Sequence, residues 1–311
     1  MFLALAGGVG GAKLAFGLAQ ILPPEDLTIM VNTGDDFDHL GLRICPDLDT
    51  VLYTLGGVAN PETGWGQVDE TWNFMESLGR IGGETWFQLG DRDLATHVER
   101  TRRLKNEETL SAIIADFAVK LGICHPIVPA TDDPVPTIVR TTDGDLPFQE
   151  YFVRRQCAPV VTGFDFVGAG QAVPPPEISE AFKSGAIDAV IVCPSNPYVS
   201  IAPILAVPAI SDFLSTAGVP VIVVSPIVDG QAIKGPAAKM MSELGGVPSA
   251  HAIATHYQDL ATAIVIDNAD AASTASIEAL GMQVLVTDTI MKSASDKARL
   301  ADDILAFAGR R

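Results

Sequence analysis

The sequence is expected to fold as an α/β protein: a Rossmann-like, mostly parallel sheet with helices on both faces and a small helical insertion. Three observations carry this expectation. Short apolar runs such as "FLALA", "LTIMV", "DAVIVCP" and "VIVVSPIV" recur along the 311 residues, and runs of that length read as buried strands. Between them lie segments with apolar residues at helical spacing. The first run also passes directly into "GGVGG", the kind of turn by which a strand feeds a helix in a βαβ unit.

Taken in order, the strand Phe2–Ala6 leads through Gly7, Gly8, Gly10 and Gly11 into a helix with Leu14, Leu18 and Ile21 on one face. "LTIMVNTGDD", residues 27–36, reads as a second strand ending in a polar loop. Residues 61–122 are different in kind. They are charged, hold all three tryptophans (Trp65, Trp72, Trp86), and carry helical periodicity in "ETWNFMESLGRI", "DLATHVERTRRL" and "EETLSAIIADFAVKLG". They are expected to form an insertion over the sheet edge that splits a core of residues 1–60 and 123–311. A strand in "IVPATDDP" and a hairpin turning at Asp143-Gly144 follow. The α/β rhythm then resumes, with strands at 189–193, 219–224, Ala263–Asp267 and Gln283–Thr287 and a last helix over 295–308.

Composition narrows the function. The net charge of −18, from 20 Lys+Arg against 38 Asp+Glu, opposes nucleic-acid binding, which rests on neutralising phosphates. An anionic metabolite would need a metal or a local basic pocket. The four cysteines (Cys45, Cys124, Cys157, Cys193) are scattered without a C-x-x-C pair, against a zinc site or a disulfide framework. The apolar runs are too short and proline-broken to span a bilayer, and Met1-Phe2-Leu3 lacks the basic start of a signal peptide. A cytoplasmic protein is expected.

The glycine stretch fits neither standard phosphate motif. Lys13 lies between Ala12 and Leu14, so G-x-x-x-x-G-K-[ST] fails, and Lys13 also takes the last place of G-x-G-x-x-G. The physics beneath those motifs survives. Glycines let backbone N–H groups approach a ligand, and a helix N-terminus favours negative charge. Either this is a phosphate site in which Lys13 faces the anion, or it is a tight turn with a solvated lysine.

Other polar clusters stand at strand ends or on the insertion. In "NTGDDFDH", Asp35 and Asp36 suit a hard cation such as Mg²⁺, or form a solvated acidic turn. In "CPDLDT", Asp47 is placed to cap a helix with Asp49 in its first turn. In "LGDRDLATHVERTRR", Asp93, His97 and Arg100 share a helix face, as a surface ion-pair set or as part of a site. "PSNP" puts Ser195 and Asn196 on a rigid turn after a strand, without the glycines of a nucleophile elbow. Asp132-Asp133-Pro134 and Lys234-Gly235-Pro236 read as turns. The five histidines show no metal-ligand spacing.

In sequence, "GGVGGAKLAFGL", "VNTGDDFDHLGLRICPDLDTVLYTL", "FQLGDRDLATHV", "DDPVPTIV", "PSNPYVSI" and "VVSPIVDGQAIKGPA" resemble the 2-phospho-L-lactate transferases of coenzyme F-420 biosynthesis, over nearly the whole chain. The resemblance implies an enzyme that moves a phospholactyl, phosphoenolpyruvyl or phosphoglyceryl group from a guanosine-diphosphate-activated donor to the ribityl hydroxyl of the deazaflavin Fo, releasing GMP, with Mg²⁺. It places Gly7, Gly8, Gly10, Gly11, Lys13, Ser195 and Asn196 at the nucleotide and Asp35 and Asp36 at the metal. It places Asp49, Gln88, Asp91, Arg92 and His97 at Fo, with Asp49, Asp91 and Arg92 as the catalytic set. Gln88 departs from the lysine family members often carry there. A homodimer is the expected assembly.

The rival is a non-catalytic nucleotide-sugar-binding regulator on a related fold. Its second loop runs Asp-Asp-Gly-Gly-Ser-Ser, where this chain has "GDDFDHLG", and it lacks "LGDRD" and "PSNP". A nicotinamide-dependent dehydrogenase fails on Lys13 and on Asn32-Thr33, where a ribose-binding acid would stand.

Overall fold

The computed structural model describes residues 1–309. Seven parallel strands form the main sheet: β1 (Phe2–Ala6), β2 (Leu27–Val31), β3 (Ile127–Pro129), β4 (Ala189–Val192), β5 (Val221–Val224), β6 (Ala263–Asp267) and β7 (Gln283–Thr287), in the spatial order β7-β6-β5-β4-β1-β2-β3. The chain winds outward from β1 in one direction and, after β3, in the other from β4. The reversal between β1 and β4 opens a crevice at their carboxyl ends, where doubly wound sheets bind ligands.

Strand periodicity explains the two cores. Phe2, Ala4 and Ala6 face one side of the sheet with Ile29, Ile191, Ile222 and Val265, whereas Leu3 and Leu5 face the other with Met30, Val190, Val223 and Ile264. The first side is covered by α1 (Gly8–Ile21), α2 (Pro46–Leu55) and the C-terminal helix Ala294–Phe307. Leu14 and Leu18 of α1 are fully buried there, each worth roughly 1.5–3 kcal/mol. At Gly17 the fit is backbone to backbone: a Cβ would lie 2.1 Å from the Lys297 carbonyl oxygen.

The helices read from residues 61–122 are present as α3 (Asn73–Arg80), α4 (Asp91–Leu104) and α5 (Leu110–Lys120). Leu110, Ile114 and Ala118 of α5 lie in the first core, so α5 covers the sheet on the connection between β2 and β3. α3 packs around a small cluster of Ile44, Met75 and Leu89, while α4 lies against α2 and adds Leu104 to the edge of the first core. The expected hairpin gains a third strand, making an antiparallel sheet of Thr137–Thr141, Gly144–Pro147 and Val161–Phe166. A π-helical turn, Glu150–Arg154, lies on the connection between its second and third strands. Among the described residues no single helix is long and apolar enough to cross a membrane; Pro197–Leu205 and Pro208–Thr216 pass only as a pair bent by 87°.

Candidate active site

A cavity of about 640 Å³ opens at the switch point, within the size range of small-molecule sites. Lys13, Lys234 and Lys292 line it together with Asp35, Asp47, Asp49 and Asp93 and with the aromatic rings of Trp65, Phe87, Phe148 and Phe152. Phe148 and Phe152 stack at 5.3 Å with planes 8° apart.

The glycine stretch is shaped first by its neighbour. A Cβ on Gly10 would meet the Pro194 carbonyl oxygen, one on Gly11 the Ser195 Oγ at 2.6 Å, and one on Gly7 the Ser200 Cβ at 2.6 Å. The glycines thus let α1 sit against the "PSNP" turn. Gly7 donates its N–H to Ser195 Oγ at 3.1 Å, and the Gly8 N–H is taken by Asp47. Helix geometry leaves the next N–H groups without intrahelical partners at the cavity wall. Asn196 holds the turn, its Oδ1 accepting the Tyr198 N–H at 2.9 Å. Lys13 does not depend on an anion for its place, since its Nζ donates to the Met291 carbonyl at 2.9 Å. Burial, then Lys234 and Lys297, lowers its pKa, the signature of cations gathered without carboxylates between them.

Asp47 does not cap α2. Pro46 opens the helix behind an N-cap at Cys45 that makes no side-chain cap bond, so Asp47 lies one position inside. There its carboxylate meets Asp35: the Asn32 amide donates to Asp35 Oδ1 and to Asp47 Oδ2, each at 2.9 Å. Burial, with Asp47 close by, raises the Asp35 pKa well above the carboxylate range. Burial also pushes Asp47 up to about 6, against the hydrogen bonds from Asn32 and Gly8. Two buried carboxylates sharing one neutral amide are under-neutralised, and their hard oxygen atoms fit a cation such as Mg²⁺. Asp36, expected beside Asp35, is turned out of the cavity. Burial raises its pKa to about 8 despite the Cys45 thiol, and its Oδ1 has no partner among the described residues.

The α4 face that carries Asp93, His97 and Arg100 is buried, not a surface ion-pair set. Arg100 grips Asp49 through both terminal nitrogens, one at 3.1 Å from Oδ2 and the other on Oδ1. His97 lies between two carboxylates, Nδ1 at 3.6 Å from Asp49 Oδ2 and Nε2 at 3.3 Å from Asp93 Oδ1. The Tyr53 hydroxyl donates to Asp93 Oδ1 at 2.6 Å. Burial raises the Asp49 pKa, with Arg100 and His97 opposing it. Burial works to raise Asp93 as well, but the imidazole and the Tyr53 hydroxyl hold it below its usual value. Asp49, Asp93 and His97 each bring a ligand atom within 4.8 Å of the others, a second group that could hold a metal.

Of the residues expected at Fo, Asp49, Gln88 and His97 line the cavity, whereas Asp91 and Arg92 do not. The Asp91 carboxylate accepts from Thr71 Oγ1 at 2.5 Å, from the Asn73 N–H at 3.1 Å and from the Phe74 N–H at 3.0 Å, which ties down the start of α3. Arg92 donates to the Val68 carbonyl at 2.8 Å. Lys234, read as part of a turn, lines the cavity and reaches the Thr63 carbonyl at 3.4 Å. Trp65 lines it as well, but Trp72 and Trp86 do not. From sequence Asp47 reads as a helix cap, and Asn32, Tyr53, Phe148 and Phe152 carry no site role.

Doubly wound sheet, switch-point cavity and a lining that carries both lysines and carboxylates together define an α/β protein with a site suited to an anionic ligand. Comparison with known proteins makes this definite. The sequence model of 2-phospho-L-lactate transferase CofD matches residues 2–301. A phosphoenolpyruvate transferase of Streptomyces griseus is 41% identical over 310 residues, covering 98% of this chain and 97% of its own. A 2-phospho-L-lactate transferase of Methanosarcina barkeri is 35% identical over 302 residues, covering 97% and 96%. This chain belongs to the 2-phospho-L-lactate transferase CofD family and is a transferase of coenzyme F-420 biosynthesis. A UPF0052-family protein of Bacillus halodurans shares the fold, with a TM-score of 0.62 over 98% of both chains at 14% identity.

Proposed function

We propose that the chain transfers a phospho-acid group, phosphoenolpyruvyl or 2-phospholactyl in its relatives and phosphoglyceryl as a third candidate, from a guanosine-diphosphate-activated donor to Fo. The observation that carries this reading is that lysines, buried carboxylates and aromatic rings line one cavity. The donor's diphosphate belongs at the α1 N-terminus, against Lys13 and Lys234, with Ser195 and Asn196 at its side. The flat deazaflavin belongs against Phe87, Phe148 and Phe152, near Gln88. The acceptor's ribityl hydroxyl then meets Asp49.

In this reading the hydroxyl oxygen attacks the phosphorus that bears the acid. A new P–O bond forms, the bond to the bridging oxygen breaks, and GMP leaves with that oxygen. The hydroxyl proton passes to the Asp49 carboxylate. Asp49 is favoured over Asp91 because it faces the cavity, while hydrogen bonds to the start of α3 engage Asp91. Such general-base assistance is worth roughly 10² to 10⁴ in rate. Asp35 and Asp47 would hold Mg²⁺, which supplies charge neutralisation at the phosphates when bound.

The test is a fluorescence titration of Fo with and without GDP and Mg²⁺, followed by product mass spectra with each activated donor. Saturable Fo binding and a phosphodiester product with GMP release support the reading. No Fo binding, with a UDP-sugar raising the melting temperature instead, refutes it in favour of a binding regulator.

A further inference from the structure

The buried polar chain behind Asp49 contains more than neutralising its charge requires. Arg100 alone satisfies both oxygens of that carboxylate and is itself fully buried. Yet α4 also places His97, 1% exposed, and Asp93 there, and α2 adds the Tyr53 hydroxyl. Every added buried polar group carries a desolvation cost, and apolar side chains of the same volume would fill the space without it. Polar groups kept at that cost are accounted for when they fix a geometry.

We propose that His97 and Asp93, with Tyr53 behind them, are positioning residues that hold the Asp49 carboxylate in the orientation from which it meets the acceptor hydroxyl. The inference rests on the reading of Asp49 given above. The geometry runs in one direction. Tyr53 donates to Asp93 Oδ1 at 2.6 Å, and Asp93 fixes the ring by facing Nε2 at 3.3 Å. Nδ1 then faces Asp49 Oδ2 at 3.6 Å and the Arg100 Nη1 at 3.3 Å. The imidazole thereby abuts both members of the Asp49–Arg100 pair and blocks rotation of the carboxylate on its buried side. An Asp–His pair on one helix, four residues apart, supplies this from a single rigid element. The remaining buried atoms agree. Neither His97 Nε2 nor Arg100 Nε has a hydrogen-bond partner among the described residues, so Asp93 sets the ring by close approach at 3.3 Å and Arg100 holds Asp49 through its terminal nitrogens alone. The same three ligand atoms could hold a cation, but Arg100 already brings a positive charge onto Asp49, which opposes one.

The test compares His97→Asn with His97→Gln. Asparagine places its amide where Nδ1 stood, beside Asp49 and Arg100, whereas glutamine reaches the Nε2 position, beside Asp93. Each variant, with Asp93→Asn and the milder Tyr53→Phe, is assayed for Fo affinity by fluorescence, for kcat and KM, and for bound Mg²⁺. Losing the orientation of a general base lowers kcat by roughly 10- to 100-fold for His97→Gln and Asp93→Asn, within the value of such assistance, with Fo affinity changed by less than about twofold. His97→Asn retains several times the rate of His97→Gln, and Tyr53→Phe falls between it and wild type. Equal losses in the two His97 variants, with kcat tracking the melting temperature, overturn the proposal in favour of plain packing. A drop in bound Mg²⁺ on Asp93→Asn overturns it in favour of a metal site. A folded wild type that binds Fo but gives no product with any donor removes the reading of Asp49 and this inference with it.

Discussion

Gly10 and Pro194 are in backbone contact: a Cβ on Gly10 would lie 2.1 Å from the Pro194 carbonyl oxygen. The contact binds the start of α1 to the turn after β4, across the switch point. Gly10→Ala must therefore push the two apart. Overpacking of this kind costs roughly 1–3 kcal/mol, and here the displacement falls on the cavity wall. Gly17→Ala makes an equally close contact, 2.1 Å from the Lys297 carbonyl oxygen, but against the C-terminal helix, outside the cavity lining. Both variants should lose similar stability in urea denaturation. Only Gly10→Ala should also raise the KM for the donor; equal KM values would mean that the turn places no donor group.

Arg100 is the cation on which the Asp49 carboxylate depends. Replacing it with Met leaves Asp49 buried near Asp93 with only the His97 imidazole, 3.6 Å away, beside it. Removing one partner of a buried pair costs about 3–5 kcal/mol, much more than losing an exposed, water-screened pair such as Arg102–Glu99. Urea unfolding of Arg100→Met and Arg102→Met checks the contrast. Similar small losses in both would show that water reaches Asp49.

The strands of the main sheet were legible because each is an apolar run buried on both faces, and α4 because Asp93, His97 and Arg100 repeat at helical spacing. What the sequence withheld was partnership across distance. Asn32 joins Asp35 to Asp47 from a strand end, where its amide looked like loop polarity. Phe148 and Phe152 reach the cavity through an antiparallel sheet whose third strand, Val161–Phe166, alternates too weakly in polarity to announce itself. Asp91 shows the opposite relation between motif and place. It belongs to a distinctive stretch, "LGDRD", yet its carboxylate is engaged by Thr71, Asn73 and Phe74. A signal for that role was present: an acid that closes a loop back onto the start of the preceding helix.

Asp91 also supplies a pH dependence. Hydrogen bonds, first from Thr71 and then from Phe74 and Asn73, hold its pKa down to about 2, against about 3.9 for an unfolded aspartate. A carboxylate depressed in the folded state contributes stability that is complete above the unfolded value and is lost as pH falls through the folded one. The melting-temperature difference between wild type and Asp91→Asn should therefore be constant from neutral pH to about 4 and shrink between about 4 and 2. A constant difference down to pH 2 would show that the bonds to Asp91 do not depend on its charge. Loss of transfer at neutral pH with little loss of stability would return Asp91 to the acceptor site.

Asp35 and Asp47 should show opposite behaviour with and without metal. Their carboxylates are buried around a single Asn32 amide, and like charges so placed destabilise the fold until a cation joins them. In EDTA, then, Asp35→Asn should unfold at higher temperature than wild type, since the amide is neutral without the proton that the buried Asp35 carboxyl takes up on folding at neutral pH. With saturating Mg²⁺ the order should reverse. A site filled to 100 times its Kd adds about 2.7 kcal/mol, which wild type gains and the variant forgoes. Asp36→Asn, altering a carboxylate turned out of the cavity, should leave the Mg²⁺-dependent gain intact. Differential scanning fluorimetry of the three proteins across a Mg²⁺ titration reads all of this at once. If Asp36→Asn removes the gain while Asp35→Asn preserves it, the metal sits on the other side of the loop and the cavity carboxylates serve the acceptor alone.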